Sequence, residues 1–249
     1  MVPRPSSART AEGGDYRIRL ADLDLGSERW ALERRSNDQT RLRSVAVWNN
    51  APMLDRYHLT TDLDRSFRIR EARFSSRRSE GSFDVRVKGR SGVRETLVIG
   101  PGREREVLRR VLEPDGILLV PCLASYIPLV RRLGAPRVGA REAMPILRFE
   151  LEPSFDFVRG EIRLSWSRSR DRPGREWLLE FEEDRDNGSI QGTIQFDRAR
   201  RLPMAIEIVD QTQVTRATLR TSVRSRGRPA RRRDPPGETA EEEDPDPAT

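Results

Sequence analysis

Apolar residues at every second position, sustained through most of the 249 residues, constrain this chain more than any other feature. Successive side chains on an extended backbone point to opposite faces, so period-two alternation means strands with one face in and one face out. Val158, Gly160, Ile162, Leu164 and Trp166 alternate with Arg159, Glu161, Arg163 and Ser165. Trp177, Leu179 and Phe181 alternate with Glu176, Glu180 and Glu182, with Leu178 the exception. Ile190, Gly192, Ile194 and Phe196 follow against Gln191, Thr193 and Gln195. Asn187-Gly188 stands between the last two runs, and this dipeptide supplies the positive φ angles of a type I′ hairpin turn.

Similar strands are predicted at 16–23, 27–35, 41–49, 55–62, 66–75, 82–88, 94–99, 146–152, 203–209 and 213–223. Asn49-Asn50, Glu80-Gly81, Ser91-Gly92 and Pro173-Gly174 punctuate them as turns. No βαβ unit and no strict repeat interrupts the series. The chain is therefore expected to be mainly β, a large antiparallel meander forming a barrel or half-barrel with one helix/loop insertion as a lid. That domain spans 15–225, with the insertion at 103–145. Residues 1–14 read as a disordered lead-in. Residues 226–249 read as a disordered tail, basic in "RGRPARRR" and then acidic in "DPPGETAEEEDPDPAT".

The residue inventory excludes several function classes. Cys122 is the only cysteine and His58 the only histidine, so no internal disulfide or cysteine-based zinc site exists, and acid–base or covalent catalysis lacks its usual groups. Asp62 and Asp64 share a strand face, and "EEDRD" gathers acids near a turn, but both sets lie among arginines and read as solvated charge. No enzyme, cofactor or metal site is expected. Of the 47 basic residues only Lys88 is a lysine, and 40 acids are interleaved with them, the pattern of a salt-bridged surface. The longest apolar run is too short to cross a membrane as a helix, and the first residues contain no apolar signal-peptide core, which points to a cytoplasmic setting.

One segment departs from this pattern. "GILLVPCLASYIPLV", 116–130, runs fifteen residues without a charge. It follows "GREREVLRRVLEP", 102–114, whose Val107, Leu108, Val111 and Leu112 have helical spacing, and it is followed at once by Arg131-Arg132. The segment either caps the open end of the sheet and completes a thin core, or encloses an apolar cavity together with the sheet. A lid can do both.

Three stretches resemble the bacterial half-barrel proteins typified by the LolA/LolB lipoprotein carriers, and the related glycolipid-binding families. "LGSERWALERR" resembles their opening Gly-x-Glu strand. "YHLTTDLDRSFRIREARF" resembles a strand–turn–strand with an Asp and an aromatic near the turn, and "YIPLVRRLG" resembles the "LPIRRL" kind of segment. By this resemblance Ile127, Pro128, Leu129, Arg131 and Arg132 take the positions of that segment, and the implied function is binding rather than catalysis.

The expected function is a non-enzymatic carrier or binder of an apolar, lipid-like small molecule. Leu119, Leu123, Tyr126, Ile127 and Leu129 are the candidate ligand contacts, and Arg131 and Arg132 are placed to meet an anionic or sugar headgroup. The alternative is nonspecific nucleic-acid binding through the arginine-rich surface and tail. Aromatic residues make up only 6% of the chain and none is interleaved with the tail arginines, so a stacking platform for sequence-specific recognition is not expected.

Overall fold

The computed structural model describes residues 9–20, 23–35, 39–50, 53–78, 81–90, 93–99, 113, 115–134, 137–150, 156–168, 176–185, 188–197, 201–210 and 213–224. Seven strands come first: β1 (Arg9–Leu20), β2 (Leu23–Arg34), β3 (Thr40–Asn50), β4 (Met53–Leu63), β5 (Ile69–Arg78), β6 (Gly81–Arg90) and β7 (Val93–Ile99). The insertion then contributes a short strand β8 (Ile117–Leu119), a 3₁₀ turn at Leu123–Ser125 and a helix α1 (Tyr126–Arg132). Six more strands follow: β9 (Arg141–Glu150), β10 (Asp156–Arg168), β11 (Glu176–Arg185), β12 (Gly188–Asp197), β13 (Leu202–Asp210) and β14 (Gln213–Arg224).

All fourteen strands belong to one sheet, in the order β7-β6-β5-β4-β3-β2-β1-β14-β13-β12-β11-β10-β9-β8. Two antiparallel meanders are thus joined where the first strand pairs with the last, Ile18 opposite Ala217. β8 is the one parallel member, with Ile117 opposite Ile146. β7 and β8 are the two edges, so the hydrogen-bonded ladder does not close. The sheet nevertheless curves far enough for Phe74 of β5 to meet Phe149 of β9 edge-on, with ring centroids 5.5 Å apart.

Bulges and close-approach glycines accompany the curvature. Register shifts occur between Asp15 and Tyr16, between Asp62 and Leu63, and between Gln195 and Phe196, and each such shift adds local twist. At Gly26, φ is +147° and an added Cβ would lie 2.0 Å from the Val47 carbonyl oxygen. Only glycine fits that close approach of β2 to β3, where Gly26 pairs with Trp48.

The period-two reading holds strand by strand. Along β2 the buried positions Gly26, Glu28, Trp30 and Leu32 alternate with Ser27, Arg29, Ala31 and Glu33, which are more open. The concave face carries Tyr16, Ile18, Leu42, Leu59, Phe74, Leu164, Trp166, Leu179, Ile194 and Ile206, all buried. On the convex face the charges pair across neighbouring strands. Arg41 meets Asp62 at 2.5 Å, Arg73 meets Asp84 at 2.5 Å, and Arg163 meets Asp184 at 2.7 Å. An exposed pair such as Arg73–Asp84 contributes about 0.2–1 kcal/mol. It and Arg163–Asp184 neutralise the surface more than they hold the fold, while Arg41–Asp62 is part-buried.

Several boundaries differ from expectation. β1 starts at Arg9, inside the expected lead-in, because Glu12 to Tyr16 pair with β2 on one side and β14 on the other. β5 starts at Ile69 rather than 66. Residues 64–68 are instead a turn in which Asp64 Oδ1 accepts the Ser66 and Arg68 amides at 2.8 and 2.9 Å, with Phe67 at φ 59°. The insertion ends near residue 140, since 141–145 already pair with β10. Arg185 pairs with Gly188, so the β11–β12 hairpin forms as expected, while 186–187 lie outside the described residues. So do the amphipathic stretch at 102–112, residues 1–8 and the tail.

Candidate functional site

The uncharged segment lies within the curve of the sheet. Ile117, Leu119, Ala124, Ile127 and Leu129 are all 0% exposed. β8 extends the sheet beside β9, Pro121 prevents the strand from continuing, and the chain then turns. Cys122 N donates to the Val120 carbonyl at 2.6 Å, and Ser125 N to the Cys122 carbonyl at 2.9 Å. Pro128 falls in the first turn of α1, where its missing N–H costs nothing.

Burying most of this uncharged segment also buries its backbone, and a backbone amide left unsatisfied in the interior costs a few kcal/mol. Three glutamates of the concave face hold the segment: Glu28 takes backbone amides, and Glu183 and Glu12 take side chains. Glu28 of β2 is fully buried. Its Oε2 accepts Leu123 N–H at 2.6 Å and its Oε1 accepts Ala124 N–H at 2.9 Å, and Ser44 Oγ donates to Oε1 as well. Glu183 of β11, also fully buried, accepts the Tyr126 hydroxyl at 3.0 Å and is paired with Arg148 of β9. Arg148 also donates to the Tyr126 oxygen at 2.9 Å, which closes the triangle. Glu12 of β1 pairs with Arg131 at the end of α1.

The electrostatics of these clamps differ. Burial pushes the Glu28 carboxyl up to about 7, against the opposing pull of Ser44 and the two amides. Burial also raises the Tyr126 hydroxyl, as it does the Cys122 thiol and the Tyr16 hydroxyl, both of which feel the Glu28 charge in addition. For Arg148 burial works against the cation, but Tyr126 and Glu183 outweigh it and the guanidinium is held firmly charged.

The C-terminal end of α1 is held by loops from three directions. The Arg131 guanidinium lies 5.7 Å from the centre of the Phe67 ring. Arg132 pairs with Asp115 at 3.5 Å, and Asp115 pairs with Arg68 at 2.8 Å. Burial lowers the Arg132 pKa. Arg201 Nη1 donates to the Leu133 carbonyl at 3.2 Å, satisfying one of the helix-end acceptors.

Each sequence-predicted site residue therefore has a definite place. Leu119, Leu123, Tyr126, Ile127 and Leu129 are packed within the sheet. Arg131 and Arg132 are partnered by carboxylates of the same chain rather than solvated at a helix end. Sequence reasoning missed Glu12, Glu28, Ser44, Arg148 and Glu183. The signal for two of them was present: Glu28 follows Gly26 and precedes Trp30, and Glu183 follows Leu179 and Phe181, so each acid occupies the inward register of its strand. Among the described residues no three metal-ligating side chains gather, and no helix is long and apolar enough to cross a membrane.

A second concavity, of about 700 Å³, runs over outward positions of β9 to β13, including Ser165, Glu180, Gln191 and Thr193. Of its two arginines, Arg141 and Arg163, the latter is taken up by Glu161, Glu182 and Asp184.

No family model and no curated protein matches the chain. Two solved structures are similar to it to different degrees. A β-barrel-like protein of the domain of unknown function DUF1849 from Brucella abortus is 12% identical, with a TM-score of 0.56, covering 88% of this chain and 100% of that one. A DUF1089 family protein from Pseudomonas aeruginosa is 15% identical, with a TM-score of 0.45, covering 82% and 93%. The first of these likenesses shows the fold: this chain is built as a β-barrel-like protein.

Proposed function

We propose that this is a non-enzymatic binding or carrier protein for a hydrophobic ligand such as a lipid or glycolipid, taken up in the curve of the sheet where segment 116–133 now lies. The observation that carries this reading is the way the interior is filled. Eight strands already make a barrel that wall side chains just fill, and interior width grows with strand number. A curved sheet of fourteen strands has more room than its own side chains occupy, and here a separate uncharged segment occupies it. Among the described residues that segment is held by a ladder with β9 on one side only and by a few polar clamps. A ligand with a long apolar part can replace its contacts at little net cost, because both present the same kind of surface.

The resemblance to LolA/LolB-like and glycolipid-binding half-barrels points the same way, since all three resembling stretches converge on this segment. Glu28 comes from the first, Phe67 and Arg68 from the second, and the segment's own helix from the third. Native mass spectrometry of the protein purified from its own host tests the reading. The expected spectrum shows a fraction of the protein carrying an additional mass in the lipid range. Protein that is always bare, and that takes up no long-chain lipid when challenged with one, would overturn it.

A further inference from the structure

Of the three glutamates that clamp the segment, two meet an arginine: Glu12 pairs with Arg131, and Glu183 with Arg148. Glu28 meets only neutral donors, the amides of Leu123 and Ala124 and the Ser44 hydroxyl. The titratable groups facing it are the Tyr16 hydroxyl from β1 and the Cys122 thiol from the segment itself, and among the described residues no cation is seen to stabilise its charge. These donors favour the ionised form, but full burial with no cation beside it costs that form more.

We propose that Glu28 is a pH-operated latch on the segment: its protonated form holds residues 120–126 within the curve, and its ionised form releases them and opens the interior. This deepens the binding function proposed above and rests on it for its purpose, though not for its chemistry. In the closed arrangement Glu28 is sealed beneath Leu123 and Ala124. With the segment displaced, the same carboxyl would face water. The closed form therefore binds the proton more tightly, and the displaced form restores an ordinary carboxyl. The closed form titrates at about 7 where the ordinary value is 4.5, so rising pH between those values draws the equilibrium toward the open form. Above 7 there is no further drive. When protonated, Glu28 can donate from Oε1 to Ser44 Oγ while Oε2 still accepts the Leu123 amide; the Ala124 amide then meets a hydroxyl oxygen, a weaker acceptor, and no charge is left buried there.

Hydrogen exchange at the Leu123 and Ala124 amides, corrected for the intrinsic pH dependence of exchange, reads this latch in the full-length protein. Protection should fall as pH rises from 5 to 8, by at most about 70-fold, the ratio set over that window by a carboxyl that titrates at 4.5 free and about 7 held. Glu28→Gln should flatten that profile. Ser44→Ala removes a donor that favours the ionised form, so it should move the midpoint to higher pH; it serves where Glu28→Gln does not fold. Constant protection in the wild type, or an unmoved profile in a folded variant, overturns the latch. N-phenylnaphthylamine, an uncharged apolar fluorophore, separates the two proposals. Uptake at pH 8 but not at pH 5 supports both. Loss of protection without uptake at any pH supports the latch and overturns the binding cavity. Equal uptake at both pH values with constant protection overturns the latch and leaves the cavity.

Discussion

The hydroxyl of Tyr126 donates to Glu183 at 3.0 Å and accepts from Arg148 at 2.9 Å. This ties the inserted helix to two strands of the sheet through a fully buried carboxylate. Glu183 and Arg148 also bond each other directly, and the phenol adds a donor to the one and an acceptor to the other. Tyr126→Phe should therefore lower the free energy of unfolding by about 1–3 kcal/mol, the cost of leaving buried polar groups short of a partner. Glu183→Ala should be worse, about 3–5 kcal/mol, because it strands Arg148. Urea titration of the two variants beside the wild type checks the order.

The inner leucines of the segment are core as well as candidate ligand contacts. Leu119→Ala and Leu129→Ala, each at a position with 0% exposure, should cost about 2–5 kcal/mol by thermal or chemical unfolding. Where a substitution also changes affinity for a long-chain probe, that residue borders the ligand space. Substitutions that destabilise uniformly and leave probe binding unchanged would reduce the segment to core alone.

Gly26→Ala should be poorly tolerated, since its Cβ would lie 2.0 Å from the Val47 carbonyl oxygen at a φ that side chains rarely adopt. A loss above about 2 kcal/mol is expected from the combined clash and strain. Gly134→Ala is the control, because nothing lies within 4 Å of an added Cβ there; it should stay within about 0.5 kcal/mol of the wild type.

Glu28 also gives global stability a pH signature. Its folded pKa is raised, so the folded state holds the proton more tightly than the unfolded chain. Its contribution is fully present below 4.5 and is lost as pH rises to about 7. Relative to Glu28→Gln, the wild type should lose about 3 kcal/mol across that window. Denaturant unfolding of both proteins at pH 4.5 and pH 8 measures the difference. Equal pH dependence would show that Glu28 ionises freely in the folded protein.

The sheet was legible because strand burial alternates at the period of the backbone itself. Trp30, Leu32, Leu164 and Ile194 could be assigned inward without knowing any partner. The pairing of β1 with β14 was not legible, because it joins residues some two hundred positions apart and no local signal encodes it. The segment was recognisable by its missing charges, but its clamps were not, since Glu12, Glu28 and Glu183 look like any other acid in so charged a chain. What distinguishes Glu28 and Glu183 is the register they occupy, inward among Trp30, Leu179 and Phe181. Arg131 and Arg132 read as headgroup contacts because they follow an apolar run; Glu12 and Asp115 become their partners only after folding.

Cys122 offers the most direct test of whether ligand takes the place of the segment. It is the only thiol, lies in the segment at 1% exposure, and its pKa is raised by burial, so in the closed protein it should react with an aromatic disulfide reagent only through opening. The measurement is the labelling rate at fixed pH with and without saturating N-phenylnaphthylamine. A ligand that binds only the open form raises its population by mass action, so labelling should accelerate by more than about tenfold. Probe binding with an unchanged Cys122 rate would contradict the account, because the ligand would then sit elsewhere while the segment stayed in place.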